Sequence, residues 1–145
     1  MKLRNFLYTG VFGVSLAFGS HTFAYNTSKL ELEITGLDQT YGTLMIALFD
    51  SQAGFKSETA AQSRKVVVSK DSAAVIFKGL VAGQYAIKVF HDQNQNGELD
   101  TNGMGIPSEP YGFSNNASDP FSAPEWEETK FSVSDAQVFH QINLD

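Results

Sequence analysis

Residues 79–92 read GLVAGQYAIKVFHD and predict a strong strand that leads directly into a polar loop. Tyr85, Ile87 and Val89 alternate with small or polar residues, which is the period-two pattern of a strand that buries one face. The two glycines before them favour a tight turn at the start of the strand. Whatever surrounds this strand has to cover an apolar face and accommodate the polar loop beyond Asp92.

Six further segments alternate in the same way or are rich in β-branched residues. They span residues 30–35, 43–49, 64–69, 73–78, 131–133 and 138–144. Apolar residues occupy both faces of residues 43–49, which predicts a central strand that is covered on both sides. Residues 57–63 permit a short helical turn, and no long amphipathic helix follows residue 24. About seven strands predict an all-β protein, an immunoglobulin-like or transthyretin-like β-sandwich.

The sequence contains one internal repeat. Residues 34–50 and 76–92 both read as a strand, a Gly-Leu turn, a further glycine and a second strand. We interpret each copy as a hairpin, and the two hairpins stack as two sheets that bury their alternating faces. Two copies are too few for a solenoid, so we expect one shared core.

The N-terminus has the layout of a secretory signal peptide. Lys2 and Arg4 precede an apolar run over residues 6–18, and small and polar residues then lead to Ala24. The apolar run is shorter than the roughly 18 to 20 residues that a membrane-spanning helix needs. We therefore predict a signal peptide over residues 1–24, a single β-sandwich domain over residues 25–145, and a periplasmic or secreted location with no membrane span after cleavage.

Charge and cysteine content exclude several classes of function. The formal net charge is −6, and loss of Lys2 and Arg4 with the signal peptide makes it −8. An acidic surface repels phosphate backbones and anionic lipid, so we expect no nucleic-acid partner. The chain has no cysteine. Disulfides, thiolate zinc sites and cysteine nucleophiles are therefore impossible, and the protein depends on its hydrophobic core.

Oxygen-bearing side chains recur at every second position after the strong strand, a spacing that suits a calcium ion. The candidate ligands are Asp92, Asn94, Asn96, the carbonyl of Glu98, and Asp100. Gly97 permits a sharp turn, so that these oxygens can converge. Because only two of the side chains are acidic, we expect weak binding, with a Kd on the order of 10⁻⁴ to 10⁻³ M. The alternative is a polar turn in which the same side chains cap backbone amides.

The longest irregular region runs from Asp92 to about Glu127 and contains four aromatic residues, namely Tyr111, Phe113, Phe121 and Trp126. Loops of this length are functional or are held by their own side chains, so we predict one long ordered loop. We favour the aromatics as a plug that packs the loop against the sandwich. The alternative is a binding surface for carbohydrate or a small apolar molecule, with a glycan or another protein as the partner.

No residue pattern indicates catalysis. His91 and His140 are the only histidines after residue 24. His91 and its neighbour Asp92 point to opposite faces of an extended strand, so they cannot form a base and orienter pair. His140 shares the predicted inward face of its strand with Val138 and Ile142. We therefore predict no catalytic residue and no enzymatic activity.

Three segments resemble an uncharacterised bacterial family known as domain of unknown function 2141. They are residues 79–92, residues 94–102, and residues 105–107 taken with residues 111–117. The resemblance spans most of the chain after residue 24 and implies an exported β-sandwich protein, without any activity to carry over. Gly103-Met104 departs from the family pattern, which implies a bulkier apolar residue in this part of the loop.

Overall fold

The computed structural model describes residues 26–144, and the predicted signal peptide over residues 1–24 lies outside them. The described residues form eight strands: β1 (Ser28–Thr35), β2 (Thr43–Phe49), β3 (Gln62–Val67), β4 (Ala73–Leu80), β5 (Gly83–Asp92), β6 (Tyr111–Phe113), β7 (Phe131–Val133) and β8 (Gln137–Asn143). They also form two short α-helices and a 3₁₀ turn: α1 (Gln52–Lys56), α2 (Trp126–Thr129) and Ser114–Asn116.

The strands form two sheets that pack as a sandwich. The first sheet has the order β4-β1-β8, in which β1 pairs antiparallel with β4 and parallel with β8. The second sheet has the order β3-β2-β5, and both β6 and β7 pair with the remaining edge of β5. All pairs in the second sheet are antiparallel. The predicted all-β sandwich is confirmed, and β6 is the strand that the sequence analysis did not predict.

The main core lies between the two sheets, where the alternating residues of the predicted strands meet. Its most deeply buried members are Leu30, Leu32, Ile34, Leu44, Leu48, Phe77, Ile87 and Ile142. Burial of a side chain of this size stabilises the fold by about 1.5 to 3 kcal/mol before the entropy cost is counted. A chain without disulfides obtains its stability from this layer.

The two repeat copies are arches rather than the predicted hairpins. β1 and β2 lie in opposite sheets, and so do β4 and β5. Gly36 and Gly79 adopt φ values of 77° and 74°, and the residues that follow them, Leu37 and Leu80, are buried. Because each leucine turns into the end of the core, the chain crosses the sandwich and continues in the other sheet. β1 therefore pairs with β4, and β2 pairs with β5.

The first helix lies before the position that the sequence suggested. The predicted helical turn over residues 57–63 is wrong, because α1 ends at Lys56 and β3 begins at Gln62. The hydroxyl of Ser51 caps α1 by accepting a hydrogen bond from the Gly54 N–H at 3.3 Å, and Phe55 is buried. Gly54 conceals this helix in the sequence, since glycine in a helix interior costs about 1 kcal/mol relative to alanine.

A buried serine completes the second sheet between β6 and β7. β7 pairs with residues 83–85 of β5, and β6 pairs with residues 88–90. In the gap, the Ser114 hydroxyl accepts a hydrogen bond from the Ile87 N–H at 2.9 Å and donates one to the Thr129 carbonyl at 2.5 Å. A single hydroxyl therefore continues the hydrogen-bond ladder and joins β5 to α2.

His140 lies on β8 at the margin of the core. Its ring stacks on Phe131 with 4.3 Å between the centroids, and its Nε2 accepts a hydrogen bond from the Asn115 N–H at 3.0 Å. Burial lowers the pKa of His140 below its ordinary value of 6.5. The folded protein therefore favours the neutral ring.

We predict that Ser114→Ala lowers the free energy of unfolding by about 1 to 3 kcal/mol, because the buried Ile87 N–H loses its acceptor. Urea denaturation would measure the change. Ser118→Ala removes an exposed hydroxyl and serves as the control, with an expected change within about 0.5 kcal/mol. Equal midpoints for the two variants would contradict the bridging role.

We also predict that His140 makes the protein less stable in mild acid. As the pH falls below 6.5, the unfolded chain binds a proton at His140 before the folded chain does, so the free energy of unfolding decreases. Urea denaturation at pH 7.5 and at pH near 5.5 would show a smaller loss for His140→Phe than for the wild type. Identical losses in the two proteins would show that this histidine does not couple folding to pH.

Candidate functional site

A groove crosses the outer face of the second sheet, the face that points away from the main core. Strand register places two rows of side chains on this face, since directly paired residues project to the same side. The rows are Lys65–Met45–Phe90–Tyr111 and Ser63–Ala47–Lys88–Phe113, each running through β3, β2, β5 and β6. Neighbouring residues such as Ile46 and Val89 point into the core instead.

The groove has the size of a small-molecule site. Its volume is about 510 Å³, and Leu99 and Ala123 of the long loop and Glu58 beyond α1 add to its lining. A second pocket of about 310 Å³ adjoins it and shares four lining residues with the groove, namely Leu99, Tyr111, Phe113 and Ala123. Pockets that bind small molecules have volumes of roughly 300 to 1,000 Å³ and mostly apolar linings with few polar groups.

Two lysines in the groove differ in their partners. Lys88 forms an ion pair with Glu58, its ammonium donates to the Phe55 carbonyl at 3.2 Å, and it lies 4.1 Å from the centre of the Phe55 ring. Lys65 has an exposed side chain that makes no ion pair or side-chain hydrogen bond with any part of residues 26–144. Lys65 is therefore the available cation of the groove.

The four aromatics of the long loop divide between the two roles considered for them. Trp126 and Phe113 are buried in a second apolar cluster on the outer face, together with Phe49, Phe55 and Ala86. The rings of Phe55 and Trp126 meet edge to face at 5.9 Å. Tyr111 and Phe121 are exposed, at 36 % and 97 %, and both line the pockets. The rings of Trp126 and Phe113 thus hold the loop against the sheet, and the rings of Tyr111 and Phe121 remain at the surface.

The structure brings four of the five predicted calcium ligands into one hydrogen-bonded loop. The Asp92 carboxylate accepts from the backbone N–H groups of Asn96 and Gly97 at 3.1 and 2.9 Å. The side-chain amides of Asn94 and Asn96 both donate to the Asp100 carboxylate. The amide nitrogens of Asn94 and Asn96 thus face Asp100, and Asp92 is held separately by backbone N–H groups.

Glu98 and the two asparagine oxygens show the turn chemistry of the alternative interpretation. The Asn94 Oδ1 accepts from the Asn96 N–H at 3.0 Å, and the Asn96 Oδ1 accepts from the Glu98 N–H at 2.9 Å. Glu98 joins the network through this N–H group, and its side chain is exposed. These are Asx-type bonds, which close a polar turn without an ion.

Glu109 holds the base of this loop and was missed in the sequence. It is 7 % exposed, and its carboxylate accepts from the Gln93 N–H at 2.8 Å and the Asp100 N–H at 3.2 Å. One carboxylate therefore joins the two ends of residues 93–100. It lies in an irregular segment without periodicity, so nothing in its local sequence indicates this contact.

The donor set fits a hard cation only in part. Within residues 26–144, no group of three or more His, Cys, Asp or Glu side chains is arranged to hold a metal ion. Calcium in this loop would depend on the carboxylates of Asp92 and Asp100 and the amide oxygens of Asn94 and Asn96. Carboxylate and amide oxygens have two lone pairs each, so an N–H bond on one leaves the other for a cation.

His91 and Asp92 have separate partners. His91 is fully buried, and its Nε2 lies 2.6 Å from the Tyr41 carbonyl. Its Nδ1 is the one buried side-chain nitrogen or oxygen among the described residues that has no hydrogen-bond partner. The Asp92 carboxylate is engaged by the loop amides instead. The two residues therefore do not form an acid–base pair.

No helix among residues 26–144 has the length and apolar content needed to cross a membrane.

Comparison with known proteins identifies the family. No curated protein and no solved structure matches the chain. A family model described as "Uncharacterized protein conserved in bacteria (DUF2141)" matches residues 32–141, which include every strand except the first residues of β1 and the last residues of β8. The chain therefore belongs to this family of bacterial proteins, as the three quoted segments predicted.

Proposed function

We propose that this protein is an exported, non-enzymatic binding module that holds a small apolar molecule in the groove on the second sheet. The observation that carries the proposal is the 510 Å³ groove itself, which lies between the sheet and the long loop. The signal-peptide pattern of residues 1–24 supports a periplasmic or secreted location.

The groove floor supports an apolar ligand. The floor includes Met45 and Phe90 of one row and Ala47 of the next row, and each of these side chains is only half-buried. Removing apolar surface from water is favourable by about 25 cal/mol per Å². A ligand that covers these side chains gains this free energy, and the surrounding sheet holds them in place beforehand.

The aromatics favour an apolar molecule over a carbohydrate. Sugar binding commonly uses exposed ring faces, yet Trp126 and Phe113 are buried with Phe55 and Phe49 in the second cluster. Tyr111 and Phe121 remain at the pockets, where they add apolar surface to the wall and rim. The same exposed margin offers a contact surface to an unidentified protein or glycan partner.

A second proposal concerns calcium at Asp92, Asn94, Asn96 and Asp100. Its support is the hydrogen-bond network that gathers these four residues in one loop, whose two ends Glu109 joins. Such an ion is structural. It stiffens the segment that supplies Leu99 to the groove wall, so bound calcium also favours the shape of the groove.

We predict that filling the groove weakens binding of a neutral apolar dye. Ala47→Trp places an indole on the groove floor, and the affinity for Nile red, measured by its fluorescence, should fall by at least about tenfold, equivalent to 1.4 kcal/mol. Ala82→Trp adds the same side chain at an exposed turn and should leave the affinity unchanged. Retention of dye binding by Ala47→Trp with an unaltered melting temperature would disprove this location.

We predict that millimolar calcium stabilises the wild-type protein. With a Kd of about 10⁻⁴ M and 10 mM calcium, the expected gain is about 2.7 kcal/mol, seen as a higher melting temperature and as heat in calorimetric titration. Asp100→Asn should remove most of this gain, because it neutralises the more accessible ligand. Asp119→Asn is the control, since its carboxylate accepts from the Phe121 and Ser122 N–H groups outside this loop. Absence of heat in the wild type would end the calcium proposal.

A further inference from the structure

We infer that the ligand of the groove is a linear amphiphile with a carboxylate head, which lies across the strands with its head at Lys65. This inference rests on the proposed apolar groove and adds the chemical class and the orientation of the ligand. The observation that supports it is the order of side chains in one row of the sheet, from Lys65 through Met45 and Phe90 to Tyr111.

The row forms a track with a polar and an apolar end. Neighbouring strands are separated by about 4.8 Å, so the row from β3 to β6 spans about 14 Å. A cation stands at the β3 end, a thioether and a phenyl ring follow, and a tyrosine ring stands at the far end. A molecule with an anionic head and a straight apolar chain matches this order from one end to the other.

The charges that face the groove favour an anion at the β3 end. Lys88 is already neutralised by Glu58, and the guanidinium of Arg64 lies on the other side of the sheet, 4.9 Å from the centre of the Phe77 ring. Lys65 thus supplies an uncompensated positive charge in a protein with a net charge of −6. An anion in the groove gains a partner there without displacing an existing ion pair.

The opposite end of the track repels an anion. Asp119 lines the adjoining pocket beyond Tyr111, and its carboxylate is fixed there by the N–H groups of Phe121 and Ser122 at 2.7 and 3.2 Å. A carboxylate head placed at this end would meet a like charge, which is unfavourable. The charge pattern therefore sets one direction for the ligand.

The adjoining pocket gives the tail room to extend. Ile106 and Phe121 line it and are 54 % and 97 % exposed. A chain that passes Tyr111 covers these side chains, so affinity should increase with chain length by about two- to fourfold for each added methylene while the tail remains in contact.

The test is displacement of bound Nile red by saturated carboxylates of eight, ten and twelve carbons and by the primary alcohols of the same lengths, all below their micelle concentrations. The proteins are the wild type, Lys65→Gln and Lys70→Gln, the last of which removes an exposed lysine outside the groove. The wild type and Lys70→Gln should bind each carboxylate about three- to fivefold more tightly than the matching alcohol, as for an exposed ion pair. Lys65→Gln should lose this preference.

The outcomes separate the two proposals. Equal affinities for carboxylate and alcohol in the wild type, or an unchanged preference in Lys65→Gln, would overturn the anionic head while leaving the apolar groove intact. Affinity that does not increase with chain length would overturn the transverse orientation. Failure of every alcohol and carboxylate to displace the dye, together with full dye binding by Ala47→Trp, would overturn both the ligand class and the groove.

Discussion

Strand β5 has two faces whose apolar side chains need cover and two edges whose backbone groups need hydrogen-bond partners. The rest of the molecule is arranged around this requirement. Its inward residues Tyr85, Ile87 and Val89 enter the main core, while Ala86, Lys88 and Phe90 project to the outer face. β2 covers one edge over residues 86–92. The other edge needs two short strands and the hydroxyl of Ser114, because an unpaired buried N–H group would be costly. The long loop is thus tied to the sheet by backbone chemistry.

The outer face of the second sheet is covered over only part of its area. At one end, α1 and α2 place Phe55 and Trp126 over Phe49 and Ala86. Beyond this cluster the helices end, and the next rows of the sheet remain open as the groove. The Asp92–Glu109 loop lies beside these rows, because it begins at Asp92, the last residue of β5. The open surface and the polar loop are therefore neighbours as a direct consequence of where one strand ends.

Alternation along the sequence predicted the strands, because one buried face leaves a period-two pattern that does not depend on distant contacts. The apolar residues on both faces of residues 43–49 predicted a strand covered on both sides, but the structure covers the outer face only at Phe49 and leaves Met45 and Ala47 half-buried as the groove floor. The pairing of the arches was not predictable, since it depends on the burial of Leu37 and Leu80 at the end of the core. β6 has only three residues, and Glu109 acts across 16 positions on Gln93, so neither leaves a local pattern. Spacing alone grouped Asp92, Asn94, Asn96 and Asp100 in one loop, and because Asx turns and calcium loops use the same residue types, it left the ion and the bare turn as alternatives.

The parallel pairing of β1 with β8 has a consequence for the order in which the chain can fold. Lys29 pairs with Gln137 and Thr35 with Asn143, more than a hundred positions apart. During synthesis at a ribosome, one edge of β1 stays without a partner until residues 137–143 have emerged, however early the arches form. Closure of so long a segment is entropically costly and slow. The first sheet therefore stays incomplete, with one unpaired edge of β1, in any intermediate that forms before β8 joins it.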